Sequence, residues 1–339
     1  MKITEYILNN KKINDTVSKI IDSSNHNNIY IGNSSANYSK YLAVSTFLKT
    51  NKTLVYLASD IYHASSAYDT FLDILGKEFV SFFPGEEFVS QEMVASSSMF
   101  KLARMNALSR IINNKPTILV INTEGSLKNV MSKDKIKDSI LNLRIGNIYN
   151  KEELINDLVI RGYKKQIVTE SQGSFSVRGE VLDIFPVNFD DPIRINFFDD
   201  EIETIKYFDV GTQLSIKKVE DVEVYPVYEM YYTNPEAIVE DILNQQTLTD
   251  KVKEDIERIK NYENLDQLYV YLPYIDPNYI NVLDLINDKI IFLDEYNDIL
   301  EKEKMELNEI TSYLETTGLK IRKNFFNNTL VCYDIAIFT

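Results

Sequence analysis

At 339 residues, with 44% hydrophobic and 26% charged side chains, the chain is long enough for two or three domains with well-buried cores, and its composition excludes general disorder. A formal charge of −15 works against a sequence-independent grip on nucleic acid, whose affinity comes from lysines and arginines neutralising phosphates. Cys332 is the single cysteine, which excludes an internal disulfide or a cysteine-based zinc site, and no apolar run approaches the ~20 residues that span a bilayer.

The first residues, "MKITEYILNNKK", lack the apolar core and cleavage site of a secretory signal, so a cytoplasmic protein without a membrane partner is expected. Two histidines, His26 and His63, are too few for a metal cluster.

Over residues 1–133, short apolar runs alternate with helical periodicity. "IYIG" (29–32), "TLVYLAS" (53–59), "EFVSFF" (78–83) and "TILVIN" (117–122) are predicted as buried strands. Ala67, Phe71 and Leu75 recur at helix spacing with Gly76 as the stop, and a second helix is expected after Ser90, carrying Met99, Leu102, Ala103, Leu108 and Ile111. Such alternation predicts a mostly parallel, helix-covered sheet.

Where the first strand meets its helix, a nucleotide-binding domain would carry G-x-x-x-x-G-K-[ST], whose backbone N–H groups and lysine cradle phosphates. The chain has "GNSSANYSKY": Gly32 and Ser39 fit, but Asn37 stands at the second glycine and Tyr38 at the lysine. Lys40 lies two positions further on and points along a different helix face, so it is no replacement. The alternative, which composition alone favours, is a plain strand-to-helix turn in an unrelated α/β protein, since Gly- and Ser-rich turns are common at helix starts. Triphosphate binding and hydrolysis are not expected, and no cofactor is implied.

A change of character comes over residues 134–213, which read as an inserted α+β domain. Asn150 and Glu153 predict a capping box ahead of Leu154 and Leu158, with Gly162 as the stop. Strand signals follow in "SFSVRGEVLDIF", "IRINFF" and "EIETIKYF", the last two joined through Asp199 and Asp200 as a hairpin. In the first of these the apolar phase slips between Val177 and Leu182, which predicts a bulge near Gly179. If Phe175, Val177, Leu182 and Ile184 face the core, then Arg178, Asp183 and Phe185 face out, as in a protein contact, with Lys164 and Lys165 adding charge. The competing assignment pairs Arg178 with Asp183 in a solvated ion pair and buries Phe185 ahead of Pro186.

Helix and strand alternation returns over residues 214–339. Asn234 caps a helix with Pro235 at its first position, and "LYVYL", "KIIFLDE" and "TLVCYDIAIF" read as strands. The first and third blocks read as halves of one α/β domain. The apolar segment Val331 to Phe338 at the end of the sequence suggests a piece of a longer polypeptide.

The run "GSFSVRGEVLDIFP", continued by "PIRINFFDDEIETIKYFDVGTQLS", resembles the second domain shared by the excision-repair helicase UvrB and the transcription-repair coupling factors (the Mfd family). The resemblance is strong from Gly162 to Pro226 and weaker over the rest of the chain. The flanking blocks resemble the split first domain of these proteins, a helicase-like α/β fold. UvrB has an intact phosphate loop and a long tyrosine-rich hairpin for DNA; here only "GEEFVSQE" separates Pro84 from the helix at Met93. The resemblance is therefore to the N-terminal module of the coupling factors, with a degenerate phosphate loop.

That resemblance implies docking of UvrA, to bring excision repair to stalled RNA polymerase. Arg178 carries over directly as a contact, as do Lys164 and Lys165, the basic residues after "GY"; Ser176 stands where UvrB has a second arginine, and Phe185 is added from strand phase. It also implies a parent that is an ATP-dependent DNA translocase, binds RNA polymerase and duplex DNA, and can mask the docking surface. Two rivals stay open, a UvrB-like ATPase or helicase segment and a nonspecific DNA-binding module.

Overall fold

The computed structural model describes residues 3–22, 29–32, 36–87, 97–320 and 335–338, by backbone alone at 36 and 335–338. In chain order the strands are β1 (Ile29–Ile31), β2 (Thr53–Ala58), β3 (Val80–Phe83), β4 (Ile118–Asn122), β5 (Asn129–Val130), β6 (Leu141–Arg144), β7 (Lys164–Lys165), β8 (Ser174–Arg178) and β9 (Val181–Phe185). They continue with β10 (Ile193–Phe198), β11 (Glu201–Phe208), β12 (Ser215–Val219), β13 (Asp221–Val224), β14 (Ile280–Asn281), β15 (Lys289–Asp294) and β16 (Ile335–Phe338). The first four helices are α1 (Ile3–Asn9), α2 (Lys11–Asp22), α3 (Ala36–Thr50) and α4 (Ile61–Leu75).

The chain divides into two compact units, one of residues 1–96, 110–130 and 279–339, the other of residues 97–109 and 131–278. In the first, six strands form a parallel sheet in the order β1-β16-β15-β2-β4-β3. Its central strands are apolar without alternation because both faces are covered: β2 is buried from Leu54 to Ala58 and β4 throughout. Leu54, Tyr56, Ile118, Val120 and Phe292 share a core with Leu42, Val44 and Phe47 of α3 and with Ala64, Ala67 and Phe71 of α4. Asp60 caps α4 by accepting from the His63 N–H at 2.8 Å, and Gly76 ends it with φ +86°. Because β15 joins β2 and β16 joins β1, the first and third blocks build a single discontinuous sheet.

The second unit carries a mixed sheet in the order β12-β11-β10-β9-β8-β7, antiparallel except for β7 beside β8. One face packs Phe175, Leu182, Ile184, Ile193, Ile195 and Ile205 against Leu154 and Leu158 of the helix Lys151–Ile160. Asn150 caps that helix by accepting from the N–H groups of Glu152 and Glu153, as its position predicts. The ribbon of β6 and β13 closes the same core through Leu141, Leu143, Val222 and Val224.

Three local expectations are corrected. The phase slip at Gly179 is a two-residue turn: Arg178 pairs with Val181, and Gly179 takes φ +57° between them. Bulges fall instead between Asn196 and Phe197 and between Tyr207 and Phe208. The β unit does not stop at residue 213; β12 is its edge strand, and the lysines of "SIKKV" hid it because edge strands carry charge. "LYVYL" is helical, in two single-turn 3₁₀ pieces and the short helix Leu272–Ile275, and every residue from Leu268 to Ile275 is buried. A wholly buried apolar run has no periodicity to tell helix from strand.

The helix expected after Ser90 is described from Ser98, and residues 88–96 lie outside the described part, as do residues 329–334 of the last predicted strand. Among the described residues no helix is long and apolar enough to cross a membrane.

Candidate functional site

At the start of α3 the side chains that replace a phosphate cradle are committed elsewhere. Residues 33–35 lie outside the described part; Gly32 and Asn37 are exposed. Tyr38 turns toward α2, its hydroxyl 3.2 Å from Thr16 Oγ1 and its ring 5.1 Å from Lys12 Nζ. An aromatic ring packed on a neighbouring helix cannot reach phosphate oxygens as a lysine does. Lys40 is buried, with Nζ 3.3 Å from Ser66 Oγ and 3.5 Å from Thr70 Oγ1 on α4, so the nearby cation points to another helix.

Ser39 keeps the hydroxyl that would ligate magnesium in a nucleotide enzyme, but it lies 2.9 Å from the Tyr56 hydroxyl on β2. The carboxylate of Asp294, the last residue of β15, acts on that phenol from close by. A phenol thus stands beside the serine and a strand-end carboxylate, the residue types that hold the metal in such enzymes. Burial pushes that phenol well above its ordinary range, and the Asp294 carboxylate adds to the shift, so it stays a neutral donor. Sequence reading missed Tyr56 and Asp294, since nothing in "TLVYLAS" marks its tyrosine as more than core. Replacing Tyr56 by phenylalanine removes the buried hydrogen bond with Ser39, and urea unfolding should show a loss of about 1–3 kcal/mol.

The second locus is the mixed sheet. Register partners share a face, and Ser176, Asp183 and Arg194 are partners in turn across β8, β9 and β10, with Arg178 two residues after Ser176. Asp183 is buried, and Arg194 grips it with two hydrogen bonds, Nε to Oδ1 and Nη2 to Oδ2, both 2.8 Å. Arg194 also donates to the Gln213 carbonyl and Oε1 at 3.3 and 3.0 Å, and lies 4.4 Å over the Phe208 ring. The Asp183 hydrogen bonds raise the Arg194 guanidinium further above its ordinary value, which keeps it charged.

Arg178 is left as the second and looser partner, 3.6 Å from Asp183 Oδ2 with a side chain 56% exposed. Both sequence readings of Arg178 therefore hold in part: it faces solvent and it touches Asp183. Arg194, the stronger partner, was legible as the polar residue alternating with Ile193 and Ile195, but only register shows that it meets Asp183.

Lys164 and Lys165 are both exposed, and neither forms an ion pair among the described residues. Lys164 pairs with Ser174 and so lies on the face of Arg178, whereas Lys165 pairs with Phe175 and falls on the opposite one.

Phe185 is corrected: it is 8% exposed and buried. Strand phase put it on the right face, but that face is covered there. The segment 166–173 folds over it, with Thr169 Oγ1 bonded to Ser176 Oγ and the Asp183 carbonyl at 3.0 and 3.3 Å, and Gln172 Nε2 donating to the carbonyls of Val187 and Phe189. The same segment presents Ile167 at 91% exposure, an apolar contact the sequence reading did not single out. Among the described residues no group of three or more His, Cys, Asp or Glu is placed to hold a metal.

The family model described as the UvrB interaction domain matches residues 141–230, which begin at β6 and include the whole sheet from β7 to β12. The transcription-repair-coupling factor of Staphylococcus haemolyticus is 25% identical over 98% of this chain and 29% of its own length. Those of Staphylococcus aureus (strain bovine RF122) and Bacillus subtilis are 26% identical over 85% and 79% of this chain and 26% and 24% of their own. The chain thus spans less than a third of the length of these relatives. With a discontinuous parallel sheet interrupted by a UvrB interaction domain, and identity running through nearly all of its length, the chain is a homologue of the N-terminal region of the transcription-repair coupling factors.

Proposed function

We propose that the chain is a docking module that binds UvrA, and so brings excision repair to RNA polymerase stalled on duplex DNA, without binding or hydrolysing nucleotide itself. One observation carries the docking reading: the only carboxylate on the Arg178 face of β8 and β9, Asp183, is already held by Arg194, so the Arg178 guanidinium has donors to spare at the surface. A guanidinium in that state can form a paired contact with a carboxylate on a partner. Exposed Lys164 on the same face and exposed Ile167 nearby supply further charge and an apolar contact, the role first expected of Phe185. The non-enzymatic reading is supported by Tyr38, Ser39 and Lys40, all committed within the fold.

Titration calorimetry of the whole chain with purified UvrA tests the proposal. Arg178→Ala should weaken binding at least roughly tenfold, since breaking a desolvated charge pair costs about 2–5 kcal/mol. Its melting curve should move little, because Arg178 is the looser, more than half-exposed partner of Asp183 at 3.6 Å, a contact worth only about 0–1 kcal/mol. A wild-type chain that ignores UvrA, or that binds ATP with micromolar affinity, would overturn the reading.

A further inference from the structure

Beyond Arg194 the register continues: Lys206 on β11 is its direct partner, and Lys218 on β12 is the direct partner of Lys206. Five strands thus line up Ser176, Asp183, Arg194, Lys206 and Lys218 on one face. Opposite charges on direct cross-strand partners stabilise a sheet and like charges destabilise it. The first half of the row obeys this rule, with Asp183 beside Arg194. The second half breaks it, with three cations on adjacent strands about 4.8 Å apart and no carboxylate between them.

Neither lysine forms an ion pair among the described residues; Lys218 is exposed and Lys206 half-buried. Two residues before Lys218, Ile216 is the extra residue where the β11–β12 register shifts, and it is 56% exposed. β12 is the sheet's edge, with no strand beyond it among the described residues. Folding gains nothing from this cluster, in a chain whose net charge is −15.

We propose that the docking face extends from Arg178 across the sheet to β12, where Lys206 and Lys218 receive carboxylates from an acidic segment of the partner protein. This rests on the docking reading and enlarges it. Charge complementarity names the occupant's chemistry, and exposed Ile216 together with the acidic chain favours a protein over a polyphosphate backbone.

The test is calorimetry of the full chain with UvrA at two or more salt concentrations, alongside urea unfolding of the same variants. Lys218→Glu places a carboxylate opposite Lys206, so its unfolding midpoint should rise or stay level while UvrA affinity falls at least roughly fivefold and its salt dependence flattens. Lys218→Gln, which cannot repel a partner, should weaken binding at least roughly twofold with an unmoved midpoint. If both variants bind as wild type while Arg178→Ala is weakened, the extension is wrong and the docking reading stands. If none of the three is weakened, both are wrong. If the Lys218 variants lose salt-sensitive retention of duplex DNA yet keep full UvrA affinity, the row serves phosphates and the proposal is overturned.

Discussion

Replacing Asp183 by alanine should lower the stability of the chain by about 3–5 kcal/mol, the cost of leaving a buried charge without its partner. Asp183 is 1% exposed, and its two oxygens accept from the Arg194 guanidinium at 2.8 Å each. The Arg194 side chain is only 22% exposed, so water cannot fully take over when the carboxylate goes. Urea unfolding followed by circular dichroism measures the loss; a change under about 1 kcal/mol, the range of a surface pair, would show that Arg194 is solvated well enough without Asp183. A double variant, Asp183→Leu with Arg194→Met, should recover most of the stability, since apolar replacements of buried pairs are often neutral. It should not recover docking, because Arg178 would lose the carboxylate that orients it.

Gly162→Ala should cost about 2–5 kcal/mol, from two separable sources. Gly162 ends the helix Lys151–Ile160 with φ +86°, where a side chain strains the backbone by roughly 1–2 kcal/mol. An added Cβ would also stand 2.5 Å from the Tyr228 ring, and overpacking of that kind typically costs about 1–3 kcal/mol. Gly162→Ala made together with Tyr228→Ala therefore removes the second source and keeps the first, which thermal melts of the two variants can resolve. Gly162, Lys164 and Tyr228 line one cleft of about 350 Å³, so a displaced ring disturbs the Arg178 face as well as the helix end. Equal melting points for wild type and Gly162→Ala would show that the ring moves aside freely and that the turn tolerates a side chain.

The features legible in the sequence were those set by local chemistry. Asn150 and Asn234 accept backbone N–H groups at the helix starts they were expected to cap, and Gly76 and Gly162 end helices with positive φ. The alternating strands around Arg178 announced a sheet with one polar face, and the absent lysine at Tyr38 was plain from spacing. What stayed hidden depends on partners distant in sequence. The Ser39–Tyr56–Asp294 cluster draws on three separate elements, and no window of sequence contains it. Phe185 misled because alternation assigns a side to a residue and says nothing about a loop that folds over that side. The row through Lys206 and Lys218 needed the register of three hairpins, including a bulge that shifts β11 against β10.

The parallel sheet has a consequence for how the chain is made on the ribosome. β2 lies between β4, which leaves the exit tunnel soon after it, and β15, which is synthesised only after the whole mixed-sheet unit. Translation at about 5–20 residues per second leaves that side of β2 open for many seconds, with "LVYLA" as an unprotected apolar template. The intervening unit can meanwhile complete its own hairpins, so synthesis favours folding from the middle outward. A ribosome halted before Lys289 should therefore carry a finished mixed sheet and a first half that captures chaperones.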